Sequence, residues 1–196
     1  MSSNLSEASP RYLAGVTTGA LVLTCFGAIW GLQGPQVMIV VTPSVTVVLL
    51  VLILTTRQAV RRLPQAKESP EEQGQLQQTS RRFGIVVGIE FAAIAAAIML
   101  LKLFKHPEFI APVICLIVGL HFLPLASLFQ VRVYTLVGVA LSLLGGGALL
   151  ALLFGFTLGS LTVWSVVVGL STAGILWLAA LFLLVQVRRV LHRIQS

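Results

Sequence analysis

Residues 83–129 read FGIVVGIEFAAIAAAIMLLKLFKHPEFIAPVICLIVGLHFLPLASLF, two long apolar runs joined by Lys105-His106-Pro107-Glu108. Each run has the length of a helix crossing a hydrocarbon core about 30 Å thick. The only Glu and the only His deep inside apolar sequence are here, Glu90 in the first run and His121 in the second. At about 1.5 Å of rise per residue, each lies roughly 12 Å from the same end of the pair. An ionisable side chain inside a membrane span costs about 2.5–3.5 kcal/mol on insertion scales and marks a candidate site, best stated with its partner. Glu90 and His121 are expected to partner each other.

Four more runs of similar length surround this pair. The expected spans are 12–32, 37–56, 83–104, 110–129, 133–154 and 163–187. The composition agrees: 57% of the residues are hydrophobic and 10% are charged, against about 25% charged in soluble domains. Asp is absent from the sequence. The expected fold is all-α, a polytopic membrane protein of six transmembrane helices arranged as three helical hairpins, forming one transmembrane domain over 1–196. The first run is too long for a signal-peptide core and follows no basic region, so it reads as a retained span. Pro43, between Thr42 and Ser44, should kink the second run.

Residues 57–82 form the one substantial polar stretch, holding Arg57, Arg61, Arg62, Lys67, Arg81 and Arg82 against Glu68, Glu71 and Glu72. Its Gln-rich middle and two prolines predict a solvated loop, with room for short helical extensions of the flanking spans. In a six-span topology this loop, Arg11, Arg132 and the C-terminal arginines share one side, while Lys102 and Lys105 stand alone near the other. Cytoplasmic loops collect Lys and Arg, so both termini and the loop are expected in the cytoplasm. Trp30 and Trp164 fall near the opposite face, where an aromatic belt would hold them. This placement also explains the net charge of +7 better than nucleic-acid binding does.

The odd-numbered runs carry small residues at every fourth position: Gly84, Gly88, Ala92 and Ala96 in the third, and Gly138, Ser142 and Gly146 in the fifth. Such stripes let membrane helices approach closely. An offset of fifty residues maps Gly88, Ala92 and Ala96 onto the second set and Arg82 onto Arg132. The first run shows Gly15, Gly19, Gly27 and Gly31 in the same phase, interrupted by Leu23. Three hairpins packed through these stripes are expected. At the place equivalent to Glu90 the fifth run has Ala140, so the polar spot belongs to one repeat.

Glu90 lies about 200° around the helix from Gly88, turned from the stripe toward another neighbour. The fourth run offers His121, with Pro124 three residues on. Pro124 cannot donate to the carbonyl of Leu120, so the helix is expected to open there. A carboxylate, an imidazole and a freed carbonyl at one depth resemble the sites that discontinuous helices build in transporters. Glu90, His121, Leu120 and Pro124 are therefore the candidate proton or solute site. A Glu–His contact that only ties two helices together is the competing reading.

Other chemistry has less support. The chain has no G-x-S-x-G or H-E-x-x-H motif and no His cluster, so no enzymatic activity, metal or cofactor is expected. Cys25 and Cys115 read as buried small hydrophobes. His106 and Glu108, with Lys102 and Lys105, read as an interfacial charged cluster, and Trp177 as packing. The expected partners are the bilayer and a small solute, proton or lipid ligand, with a second copy of the chain also possible.

The stretch Gly119-Leu-His-Phe-Leu-Pro-Leu-Ala-Ser-Leu-Phe129 resembles a signature of a family of small bacterial multi-span membrane proteins. The resemblance covers the fourth run and the link to Tyr134. It implies an origin in a bacterial inner membrane and carries no activity.

Overall fold

The computed structural model describes residues 10–32, 38–63, 70–129, 131–156 and 161–195. It contains six long helices: α1 (Pro10–Gly31), α2 (Met38–Arg61), α3 (Pro70–Leu103), α4 (Ile110–Phe129), α5 (Arg132–Leu153) and α6 (Leu161–Gln195), with a 3₁₀ turn at Pro107–Phe109 between α3 and α4. No strand occurs among the described residues. All six helices contain a segment long and apolar enough to cross a bilayer, and the protein is an integral membrane protein. The expected tail and links at 1–9, 33–37, 64–69, 130 and 157–160 lie outside the described residues.

Helix ends depart from the apolar runs mainly on the basic side. α2 continues to Arg61, α3 begins at Pro70 and α6 continues to Gln195. Much of the polar 57–82 stretch is thus helical, because its Gln, Glu and Arg residues are good helix formers. Neither internal proline ends its helix: α2 runs through Pro43 and α4 through Pro124. The opening expected beside His121 is therefore replaced by a continuous helix. Pro124 lacks only its own N–H, and the rest of the turn still forms.

The chain divides into two compact units, residues 1–67 with 173–196, and residues 68–172. In the first, α1 packs on α2. Leu13, Val16, Ala20 and Leu23 are buried on one face of α1, with Thr17 and Thr24 among them. These two threonines hydrogen-bond to the carbonyls of Ala14 and Ala20, so their burial leaves no hydroxyl unpaired. Gly27 and Gly31 lie under the Trp177 indole of α6, and Gly31 also meets Thr42 of α2. Here the small residues of the first run do bring helices together, while Gly15 looks onto open space.

In the second unit α4 is central, packed against both α3 and α5. Its contact with α5 is the closest. A Cβ added at Gly119 would stand 2.5 Å from the Ser142 backbone nitrogen, and one at Gly145 would stand 2.5 Å from that of Leu116. Gly138 sits against the Gly119 carbonyl at a comparable distance, 2.9 Å from such a Cβ. Cys115, fully buried, bridges the remaining space: its Sγ lies 3.4 Å from the Leu141 carbonyl oxygen and 3.3 Å from the Thr172 hydroxyl. Both cysteines are free thiols, and Cys25 is exposed.

This arrangement corrects the expected stripe packing. The α5 stripe meets α4, its neighbour in sequence, and its members are Gly138, Ser142 and Gly145. Gly146 faces open space. Eight residues turn a helix about 80° past its starting face and seven bring it within about 20°, so Gly145 stays aligned with Gly138 and Gly146 does not. On α3, nothing lies within reach of a Cβ at Gly84 or Gly88, and Ala92 and Ala96 are exposed.

α3 and α5 end alike. After α3, the His106 N–H bonds the Leu101 carbonyl and the Lys105 N–H that of Lys102. After α5, Phe156 and Gly155 make the same pair of bonds to Ala151 and Leu152. Both caps need one left-handed residue, Lys105 (φ 58°) and Gly155 (φ 72°), fifty positions apart. This crossed pair of bonds satisfies the last carbonyls of a helix.

Candidate functional site

Glu90 is the one buried residue of α3 among those whose burial is described. It lies mid-helix, where the exposed apolar residues Ile85, Ile89 and Phe91 occupy the other faces. Its carboxylate turns toward α4 and stands 3.2 Å from His121, Oε2 to Nε2, with side-chain exposures of 6% and 9%. The structure thus brings Glu90 and His121 together across the α3–α4 contact. A charge taken out of water is tolerated only when paired, and the pairing makes α3 and α4 meet at one fixed register.

The other two candidate residues contribute differently. Leu120 is exposed, so its side chain turns away from the pair. Pro124 lines a groove of about 460 Å³ with Arg82, Ile85, Val86, Ser127 and Leu128. Val86 is one turn from Glu90, and Pro124 is one turn from His121. The groove therefore runs from the basic end of α3 toward the pair, and its lining residues stop one turn short. The Ser127 hydroxyl donates to the Pro124 carbonyl at 2.9 Å, a bond within α4.

An aromatic frame holds this region. Phe83 of α3 contacts Phe129 of α4 edge-on, with centroids 5.8 Å apart. Tyr134 of α5 packs on both Phe129 and Phe122, and Phe122 stands edge-on to the His121 ring. The imidazole is thus held on one side by a carboxylate and on another by a chain of rings that reaches α5. The sequence carried a signal for this frame: Phe122 and Phe129 stand seven residues apart, which returns a helix to nearly the same face.

Elsewhere, His106 Nδ1 and Glu108 Oε1 are 2.9 Å apart at the exposed end of the α3–α4 link. Among the described residues no three His, Cys, Asp or Glu side chains converge as a metal site would need. The chain matches no family model, no curated protein and no solved structure.

Proposed function

We propose that this protein moves a proton or a small solute across the membrane, with Glu90 and His121 as the groups that take up and release the proton or hold the solute. The observation that carries the reading is the buried Glu90–His121 contact at 3.2 Å, at mid-helix, between two helices of apolar sequence. Such a pair is costly to insert and gives little stability that a Leu–Leu contact would not. A carboxylic acid can hand a proton to an imidazole at this distance, since His titrates near neutral pH. The groove ending at Val86 and Pro124 supports access from the Arg82 end.

The proposed setting is a bacterial inner membrane with both termini in the cytoplasm. Arg57, Arg61, Arg62, Arg81, Arg82, Arg132, Arg188 and Arg189 would then share the cytoplasmic side. The resemblance of 119–129 to small bacterial membrane proteins supports the same setting.

A second reading has its own observation. Neither Glu90 nor His121 lines the groove, which suits a protein that holds a lipid or apolar ligand there, or a partner subunit, while the pair ties α3 to α4. Two measurements separate the readings. Proteoliposomes loaded with a pH-sensitive dye should show proton flux with the wild type and lose it with Glu90→Gln or His121→Ala. The thermal stability of the wild type should show a transition between about pH 5 and 8 that both variants abolish. No flux, with both variants losing equal stability at every pH, would make the pair a helix tie and retire the transport reading.

A further inference from the structure

We propose that the groove between α3 and α4 binds one acidic phospholipid, with Arg82 on the headgroup phosphate. The inference rests on the second reading above, in which the groove holds a lipid, and names the lipid class. One wall is Arg82, Ile85 and Val86 of α3, and the other is Pro124, Ser127 and Leu128 of α4. Its volume of about 460 Å³ is typical of small-ligand sites. Two contacts between the helices bracket it. Phe83 meets Phe129 at the basic end, with ring centroids 5.8 Å apart, and Glu90 meets His121 at 3.2 Å one turn past the inner edge. The walls are thus held at a fixed spacing before a ligand arrives, which lowers the cost of binding.

The lining changes character with depth. The apolar span of α3 starts at Arg81 and that of α4 ends at Phe129, so Arg82, Ser127 and Leu128 stand in the outermost turn on one side. A guanidinium presents N–H donors in a planar fork that matches phosphate oxygens. The Ser127 hydroxyl gives its hydrogen to the Pro124 carbonyl, which leaves its oxygen to accept from a headgroup hydroxyl. Farther in, the lining is apolar and continues past the groove. Ile89 lies one turn from Ile85 and Leu120 one turn from Pro124, and both are exposed. Residues one turn apart share a helix face, so Ile85–Ile89 and Pro124–Leu120 form two apolar rails leading inward.

The rails choose the occupant. A diacyl lipid with its phosphate at Arg82 lays its chains along Ile89 and Leu120, and Arg82 stands at the level where headgroup meets hydrocarbon. Free phosphate would engage Arg82 and leave the rails bare. A neutral diacylglycerol would use the rails and make no use of the guanidinium. The exposure of Leu120, which the Glu90–His121 pair does not explain, then has a role as a chain contact. Arg81 is exposed beside Arg82 and is not part of the lining, so it serves as the control for charge alone.

The test uses the full chain in an uncharged detergent, titrated with dioctanoyl phosphatidylglycerol, dioctanoylglycerol or inorganic phosphate. The readouts are the melting temperature and the lipid retained in native mass spectrometry. Phosphatidylglycerol should give a saturable rise in melting temperature and one retained lipid, and inorganic phosphate should give neither. Arg82→Gln should weaken phosphatidylglycerol about fivefold, and Arg81→Gln should leave it unchanged. Ser127→Phe keeps the charge, fills the groove and should abolish retention, so it decides the matter if Arg82→Gln does not fold. Equal weakening by Arg81→Gln and Arg82→Gln would replace the site with diffuse surface charge. An equal rise with inorganic phosphate would replace the lipid with a soluble anion. Dioctanoylglycerol binding as tightly as phosphatidylglycerol would remove the phosphate and leave the lipid reading of the groove standing. Retention of neither lipid would end both, and a mass of two chains without lipid, lost in Ser127→Phe, would give the groove to a second copy.

Discussion

At the scale of single residues, two helix ends solve one problem with different side chains. The crossed hydrogen bonds that close α3 and α5 require a residue with positive φ, which Gly155 adopts freely and Lys105 does not. A non-glycine residue there costs roughly 1 kcal/mol against its Cβ. Lys105→Gly should therefore raise stability by about 0.5–1 kcal/mol, and Gly155→Ala should lower it by about 1 kcal/mol. Denaturation of the two variants in mixed micelles checks both signs. The Glu90–His121 contact also belongs to this scale, and it was legible because a lone Glu and a lone His stand out in apolar sequence at matching depth. What could not be read was the rotamer that leaves Leu120 exposed while His121 meets its partner, since that depends on how α3 leans on α4.

At the scale of helices, α4 and α5 are held by the closest backbone approach in the second unit, through Gly119, Gly138 and Gly145. Gly119→Val or Gly145→Val would drive methyl groups into backbone and should destabilise by about 1–3 kcal/mol or more. Gly146→Ala and Gly88→Ala point into open space and should be neutral or stabilising by up to about 1 kcal/mol through helix propensity. Thermal unfolding of the four variants separates the packed glycines from the free ones. Sequence reading found the right stripe on α5 and the wrong partner for it. Small residues advertise that a helix can be approached closely, and they carry no information about which neighbour does so. The fourfold spacing also misplaced one member, because only a shift to Gly145 keeps pace with the turn of the helix. Pro124 misled in a similar way: its missing donor was visible, but the ability of the surrounding turn to hold α4 together was not.

At the scale of the whole molecule, six apolar helices make this an integral membrane protein, and that much was plain from run length and composition. Orientation rests on where the arginines fall. Reporter fusions should show an alkaline phosphatase inactive at either terminus and active when inserted at Lys105, with a cytoplasmic reporter giving the reverse. Opposite signals at the two termini would require an odd number of crossings and would sink the proposed topology. The basic 57–82 stretch was expected to be a loop, and much of it extends the helices on either side of 64–69. Its length and charge were readable, but its Gln and Glu residues suit a helix and a solvated loop equally well until neighbouring turns nucleate them.

The buried Cys115 gives the fold a built-in clock. Its sulfur is sealed between the Leu141 carbonyl of α5 and the Thr172 hydroxyl of α6, so an alkylating reagent can reach it only when α4 parts from one of these two helices. The rate at which that thiol is modified reports how often the packing around α4 opens, in the native sequence and without any label being introduced. Every substitution that loosens the glycine contacts should make the clock run faster.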